Sequence, residues 1–260
     1  MLKILILAAL PNEYACFRKM TPRWRLMIDK PYRTFSFLLP EKQITLIETG
    51  MGGNFAADAL EKALACSRPD FVISMGFGGG LHESLAVGDV CATTHAMEHQ
   101  GESKPEKRFA FVFSDDLSAF LAAKKIAMVT AVTVAAPPDK PRLSALLADG
   151  KGTVDMETAI IADIARERGI PFMCLRAISD GLHDELGFDL KDITGETGEV
   201  VVAKVLKTIL FNPAVVIAFY WSWRRSSTAA NNLGRILSDF LDLPVSTLKR
   251  IAAGTRVEAA

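Results

Sequence analysis

Two periods of apolar and polar positions alternate along the 260 residues of the chain. An apolar run at residues 4–7 stops before Pro11. No typical cleavage site follows it, so it reads as a first buried strand and not as a signal peptide. Residues 34–39 and 44–48 alternate at period two, which predicts a strand pair turning at Pro40-Glu41. After the break Gly50-Met-Gly-Gly53, a helix opens at Asn54, with Ala56, Ala57, Leu60, Ala63 and Leu64 on one stripe. Residues 71–75 form the next buried strand and run into Gly76-Phe-Gly-Gly-Gly80, read as a loop. The pattern then gives a short strand at 89–93, a polar loop near 98–107, a helix at 117–124 and a strand at 126–134. Pro137, Pro138 and Pro141 mark an irregular connection. Residues 156–168 carry the helical stripe Ile160, Ile161, Ile164 and Ala165, with Gly169 as C-cap and Pro171 behind it. A strand at 171–175, a loop holding Asp180 and a closing helix at 199–210, ended by Asn212-Pro213, complete the series. Strands alternating with helices predict an α/β sheet covered on both faces.

Composition narrows the function classes. Half of the residues are hydrophobic, enough for one large α/β domain or two small ones. The 30 basic and 30 acidic residues cancel, which gives no electrostatic grip on nucleic acid. Cys16, Cys66, Cys91 and Cys174 are scattered among apolar or small neighbours and read as buried free thiols of a reducing compartment. Neither they nor His82, His95, His99 and His183 have metal-ligand spacing. The longest apolar candidate for a membrane span, residues 214–223, is too short and holds Ser222.

Candidate chemistry gathers at predicted strand ends. Asp180 follows a buried strand, so its carboxylate faces the crevice where open α/β sheets bind ligands. There it can be kept protonated and used as an acid; a loop Asp that caps a turn or helix fits its position equally well. Glu13, the Gly50–Gly53 turn, the Gly76–Gly80 segment and Glu157 stand at comparable places. Glycines after a strand can cradle phosphate, let a sugar approach the backbone, or only make a tight turn. Their spacing matches neither a dinucleotide fingerprint nor a Walker loop. Asp155 suits a helix N-terminus as N-cap or first-turn residue, which leaves Glu157 available for a ligand.

The order of these pieces resembles the nucleoside phosphorylase and nucleosidase superfamily, above all its methylthioadenosine/S-adenosylhomocysteine nucleosidases. The matching segments are Ala9-Leu-Pro-Asn-Glu13, Thr49-Gly-Met-Gly-Gly-Asn54, Pro69-Asp-Phe-Val-Ile-Ser-Met-Gly-Phe-Gly-Gly-Gly-Leu81, Val87-Gly-Asp-Val90, Val154-Asp-Met-Glu-Thr158 and Arg176-Ala-Ile-Ser-Asp180. The resemblance implies an α/β fold for residues 1–210: a single-domain three-layer sandwich with a central mixed β-sheet flanked by helices. It also implies a cytoplasmic homodimer that needs no cofactor and no metal. Its implied reaction breaks the N-glycosidic bond of a purine nucleoside through an oxocarbenium-like transition state. Asp180 would protonate the purine at N7, with burial or a nearby carboxylate keeping it protonated. Ser179 would orient Asp180, Glu157 would accept the ribose hydroxyls, and Met156 would pack on the sugar. Gly76, Phe77 and Gly78 would line the substrate, and Glu13 would activate the attacking water. Hexameric phosphorylases carry an Arg where this chain has Ser74, and another in the first loop, where this chain has none between Lys3 and Arg18. Water is therefore expected as nucleophile; in the alternative, a phosphorylase, phosphate is the co-substrate.

Three departures from the family pattern matter. Phe77 replaces a small residue, so a large ring would wall off the sugar's 5′ side. Residues 95–150 form a shortened middle, in which only Val132 to Ala136 is expected near the base. Residues 211–260 form an additional helical extension packed on the domain. It opens with Ala214-Val-Val-Ile-Ala-Phe-Tyr-Trp-Ser-Trp-Arg-Arg225. The stripe Ala229, Ala230, Leu233, Ile236, Leu237, Phe240 and Leu241 follows, opposite Asn231, Asn232, Arg235 and Asp239. It reads either as core packing or a dimer contact, or as a lid or peripheral membrane surface for an apolar 5′ substituent. The tail and the shortened middle together resemble hopanoid-associated members of the superfamily, whose implied substrate is adenosylhopane. A catalytically inactive nucleoside-binding or membrane-associated module is the remaining class, and the joint presence of Glu13, Glu157 and Asp180 argues against it.

Overall fold

The computed structural model describes residues 1–21, 23–101, 106–136, 139–147, 150–184 and 215–260, the last with side chains from residue 224 on. The expected helix at 199–210 lies outside these residues. Every residue of β1 (Leu2–Ala8) except Lys3 is buried. Ile4, Ile6 and Ala8 enter one core and Leu5 and Leu7 the other, so both faces of this strand are covered. On one edge β1 pairs in parallel with β4 (Lys42–Glu48), on the other with β5 (Phe71–Gly80). β3 (Arg33–Leu39) returns antiparallel to β4 through the expected turn, and β2 (Arg25–Ile28) forms the sheet edge.

On the other side the mixed sheet closes on itself. β10 (Phe172–Asp180) lies parallel to β5 and antiparallel to β6 (Val90–His99). β6 is parallel to β8 (Ala127–Val134), β8 is parallel to β9 (Gly152–Asp155), and β9 returns antiparallel to β5. β6 absorbs residues beyond the short strand expected there, so the polar connection to β7 (Lys107–Val112) is correspondingly shorter.

Helices cover both faces. α1 (Pro11–Met20), α3 (Asp115–Ala123), α6 (Val215–Leu241) and α7 (Val245–Gly254) bury Phe17, Leu121, Leu233 and Ile251 in one core. α2 (Gly53–Cys66) and α5 (Thr158–Glu167) bury Leu60 and Ile161 in the other. A short helix, α4 (Lys140–Ser144), stands where the prolines predicted an irregular connection. After α7 the chain ends in a strand, β11 (Arg256–Ala259), antiparallel to β7. The helical stripe expected in the tail is buried: Ala229, Leu233, Leu237 and Phe240 are all inaccessible to solvent.

The glycine segment is a correction. Residues 76–80 continue β5 as extended strand and form neither a loop nor a turn. None of these glycines has a positive φ. What they provide is space: a Cβ on Gly76 would stand 2.7 Å from Glu13 Oε1, and one on Gly79 would stand 2.9 Å from Val154 Cγ1.

Candidate active site

A change of partner along β5 creates the site. On one edge β5 pairs with β1 as far as Ser74 and with β9 only from Gly79, while β10 runs along the opposite edge. The backbone between these two pairings is left to side chains, as at a topological switch point. Glu13 fills part of the gap. Pro11 starts α1 and sets Glu13 in its first turn. Its Oε2 accepts the amides of Ala9 (2.7 Å) and Leu10 (2.9 Å), and its Oε1 accepts the Phe77 amide (3.0 Å). Burial pushes the Glu13 carboxyl above its ordinary range, against the pull of these three N–H groups.

Beneath Glu13 lies a cation that the sequence analysis left without a role. Arg176, on β10, is 2% exposed. It donates from Nε to Asp155 Oδ2 (2.9 Å), from Nη1 to Ser74 Oγ (3.1 Å) and from Nη2 to Thr158 Oγ1 (3.0 Å). Asp155 ends β9, and its Oδ1 also accepts the amides of Glu157 (3.2 Å) and Thr158 (3.1 Å) at the start of α5. Burial alone would raise the Asp155 carboxyl; the guanidinium and these hydrogen bonds outweigh it and hold the group below its ordinary range. Asp155 stands two residues before the N-cap and is therefore neither the N-cap nor the first-turn residue expected, yet its Oδ1 still serves the helix N-terminus while its Oδ2 anchors the buried cation.

Glu157 is left free of capping work, as expected: it is the N-cap residue of α5, yet its side chain caps nothing. Its Oε1 accepts the Gly52 amide (2.8 Å), and its Oε2 lies 3.7 Å from Arg176 Nη2. Burial pushes its carboxyl up to about 7, with Arg176 opposing and Asp155 adding to the rise. Glu13, Ser74, Glu157 and Arg176 border a cavity of about 10 Å³, close to the least volume that holds one water.

Met156 lies beside a cleft of about 990 Å³, which Met51, Gly52, Asn54, Val134 and Ala135 also line. Of the segment expected near the base, Thr133, Val134, Ala135 and Ala136 reach this cleft. Val132 does not; it is buried against Leu81 and Val154. The ring of Phe77 packs against the core shared by α1 and α6.

Asp180 stands at the C-terminal end of β10, beside Gly79. Glu13 meets β5 at Gly76 and Phe77, so the two carboxylates are separated by roughly 7–10 Å of strand. Ser179 Oγ donates to Asp180 Oδ1 at 2.5 Å. The charged neighbour of Asp180 is not a carboxylate: Lys140, on α4, forms an ion pair with Asp180 Oδ2. Lys140 and the Arg176–Asp155 ion pair are the participants that no sequence pattern assigned, and Lys140 carried no signal at all. The one signal of the pair was position: Arg176 opens the Asp180 motif and Asp155 precedes Met156-Glu157. Among the described residues no cluster could hold a metal ion, and no helix is long and apolar enough to cross a membrane.

Residues 3–210 match the family described as the phosphorylase superfamily. A 5′-methylthioadenosine/S-adenosylhomocysteine nucleosidase from Bacillus licheniformis is 24% identical over 209 residues, covering 72% of this chain and 90% of its own. The corresponding protein from Actinobacillus succinogenes is 29% identical over 171 residues, 58% of this chain and 74% of its own. Among solved structures, the Neisseria meningitidis nucleosidase in complex with methylthio-immucillin-A superposes with a TM-score of 0.68 at 19% identity, over 93% of this chain and 99% of that one. Futalosine hydrolase from Helicobacter pylori superposes with a TM-score of 0.68 at 14% identity, over 93% and 97%.

Proposed function

The chain belongs to the phosphorylase superfamily, and from that premise we propose that it is a nucleosidase, hydrolysing the N-glycosidic bond of a purine nucleoside. The cavity of about 10 Å³ among Glu13, Glu157 and Arg176 carries the choice of nucleophile. It is close to the least size that holds a water and is bordered by two carboxylates. A phosphate dianion needs cations to hold it. Arg176 is the cation here, and it is engaged by Asp155, Ser74 and Thr158. Glu13 and Glu157 would repel phosphate, whereas Glu13 can take a proton from water as it attacks the sugar.

The other roles follow from position. Asp180 protonates the departing purine, an acid contribution of typically about 10²- to 10⁴-fold. Ser179 orients it. Glu157 accepts hydrogen bonds from the ribose hydroxyls, Met156 packs on the sugar from the cleft side, and Gly76, Phe77 and Gly78 carry the strand along which the sugar lies. Relatives named as 5′-methylthioadenosine/S-adenosylhomocysteine nucleosidases support the adenine nucleoside class.

We extend the proposal to an apolar 5′ substituent, with adenosylhopane as the candidate. α6 runs antiparallel to β10: Arg225 pairs with Asp184 (3.0 Å), close after Asp180, while Phe240 meets Phe71 at the opposite end of the sheet. The apolar and aromatic residues 215–223 precede Arg225 on the same helix. Their position beyond the substrate end of the sheet supports a peripheral membrane contact on the cytoplasmic side, and homodimerisation is carried over from the resemblance. The experiment incubates the protein with 5′-methylthioadenosine and with a long-alkyl 5′-substituted adenosine, with and without phosphate. Free ribose-type sugar, phosphate-independent release and faster turnover of the long-alkyl substrate are expected. A sugar 1-phosphate would instead make the protein a phosphorylase, and a preference for methylthioadenosine would remove the adenosylhopane assignment.

A further inference from the structure

Protonating a purine requires Asp180 to donate a hydrogen bond, yet its surroundings make it an acceptor on both oxygens. Ser179 donates to Oδ1, and the Lys140 ammonium is paired with Oδ2. Lys140 also donates to the carbonyls of Gly181 (2.6 Å) and Asp184 (2.8 Å). An ammonium has three N–H bonds, and here three oxygens receive them. The side chain is only 10% exposed, so this arrangement is built into the fold.

Each neighbour helps to hold it. Asp139 caps α4 by accepting the Arg142 amide (3.2 Å), which sets Lys140 at the first helical position. Leu143 locks α4 into the cluster with Leu81 and Val154, and Ser144 Oγ donates to Leu81 O (2.6 Å). Gly79 leaves the room: a Cβ there would stand 3.1 Å from Asp180 Oδ2 and 3.3 Å from Lys140 Cε.

Resting on the hydrolytic reading above, we propose that Lys140 is the positioning residue of the acid: it holds Asp180 and supplies the proton that Asp180 passes to the departing base. The hydrogen bonds permit the first step, from Lys140 to Asp180, without rearrangement. When an N–H bond of Lys140 breaks and an O–H bond of Asp180 forms, the neutral amine keeps two N–H bonds for the two carbonyls. Its new lone pair accepts the Asp180 O–H. The carboxyl O–H then turns from the amine to the purine, and its proton moves there as the glycosidic C–N bond breaks and its electron pair leaves with the base. Asp180 is again a carboxylate and Lys140 an amine. The proton released by the attacking water passes through Glu13 to solvent and restores the ammonium, so the sum is water plus nucleoside giving sugar plus base.

Lys140→Arg separates supplying a proton from holding a carboxylate. A guanidinium keeps the charge and the donors but does not deprotonate in proteins. The full-length variant is compared with wild type on 5′-methylthioadenosine and on 4-nitrophenyl riboside, whose leaving group departs without protonation. The expected result is an unchanged melting temperature, KM within a few-fold, and kcat on the purine nucleoside lowered about 10²-fold or more. The loss on the nitrophenyl riboside is expected to be at least tenfold smaller. A kcat within threefold of wild type overturns the proposal. So does an equal loss on both substrates by a folded variant, which would leave Lys140 a holding role only. Should Arg prevent folding, Lys140→Gln takes its place, since its amide offers two N–H bonds to the carbonyls and no transferable proton. A wild-type protein that releases base from no purine nucleoside sinks the functional proposal itself; activity in wild type with an unaffected Lys140 variant sinks only the role of Lys140.

Discussion

Glu157 sets the pH dependence at the scale of single residues. Its carboxyl is raised by burial from an ordinary 4.5 to about 7 in the folded protein. The folded state therefore binds this proton more tightly than the unfolded state between those values. The contribution of Glu157 to stability is greatest below pH 4.5, falls as pH rises through the window, and is constant above pH 7. Under the proposed function binding works in the opposite direction, because ribose hydroxyls would need the charged form of Glu157 as acceptor. For the free protein, kcat/KM is expected to drop as pH falls below about 7, and Glu157→Gln should remove that limb of the profile. Arg176 presents a different test. It neutralises Asp155 and stands between Glu13 and Glu157, so Arg176→Met would leave buried carboxylates without their countercharge. That type of loss costs about 3–5 kcal/mol, and thermal unfolding would measure it. For Asp180→Asn, substrate binding without turnover is expected; unchanged turnover would remove Asp180 from the mechanism.

At the scale of elements, β5 shows how a sequence pattern can be read correctly for position and wrongly for shape. The glycines of residues 76–80 mark the C-terminal end of β5, and the proposed site lies there. They look like a loop because glycine in an extended strand has no local reason. The reason is non-local: Glu13 from α1 and the Lys140–Asp180 pair press against β5 where a Cβ would stand. Gly76→Ala is expected to displace Glu13 and lower kcat by about 10²-fold or more, with a stability cost of roughly 1–3 kcal/mol. Turnover and melting measured on the same sample check both. α5 was legible to within two residues at its N-terminus, because its stripe and its C-terminal glycine are local signals. α4 was hidden, since a helix of five residues that includes Pro141 carries no periodicity.

For the whole molecule, the tail after residue 214 decides more than its place at the chain end suggests. Leu233, Leu237 and Phe240 share one core with Ile4, Phe17 and Phe71. Gly234 lets α6 cross α1 closely; a Cβ there would stand 2.8 Å from the Phe17 backbone nitrogen. A chain ending at residue 214 is expected to be insoluble or unfolded, and Leu237→Ala to cost about 2–5 kcal/mol, read by denaturant unfolding. The sequence by itself determined the α/β class, the two-faced burial of β1 and β5, and the strand-end positions of Glu13, Glu157 and Asp180. Those features follow from hydrophobic periodicity and short motifs, which act between neighbours in the chain. Only the tertiary structure decided that Arg176 and Asp155 form the buried ion pair beneath the site, that Lys140 holds Asp180, and that the tail completes the core. These contacts join residues from about 20 to more than 200 positions apart. No local pattern specifies which distant charge or apolar stripe will be brought to a given strand end.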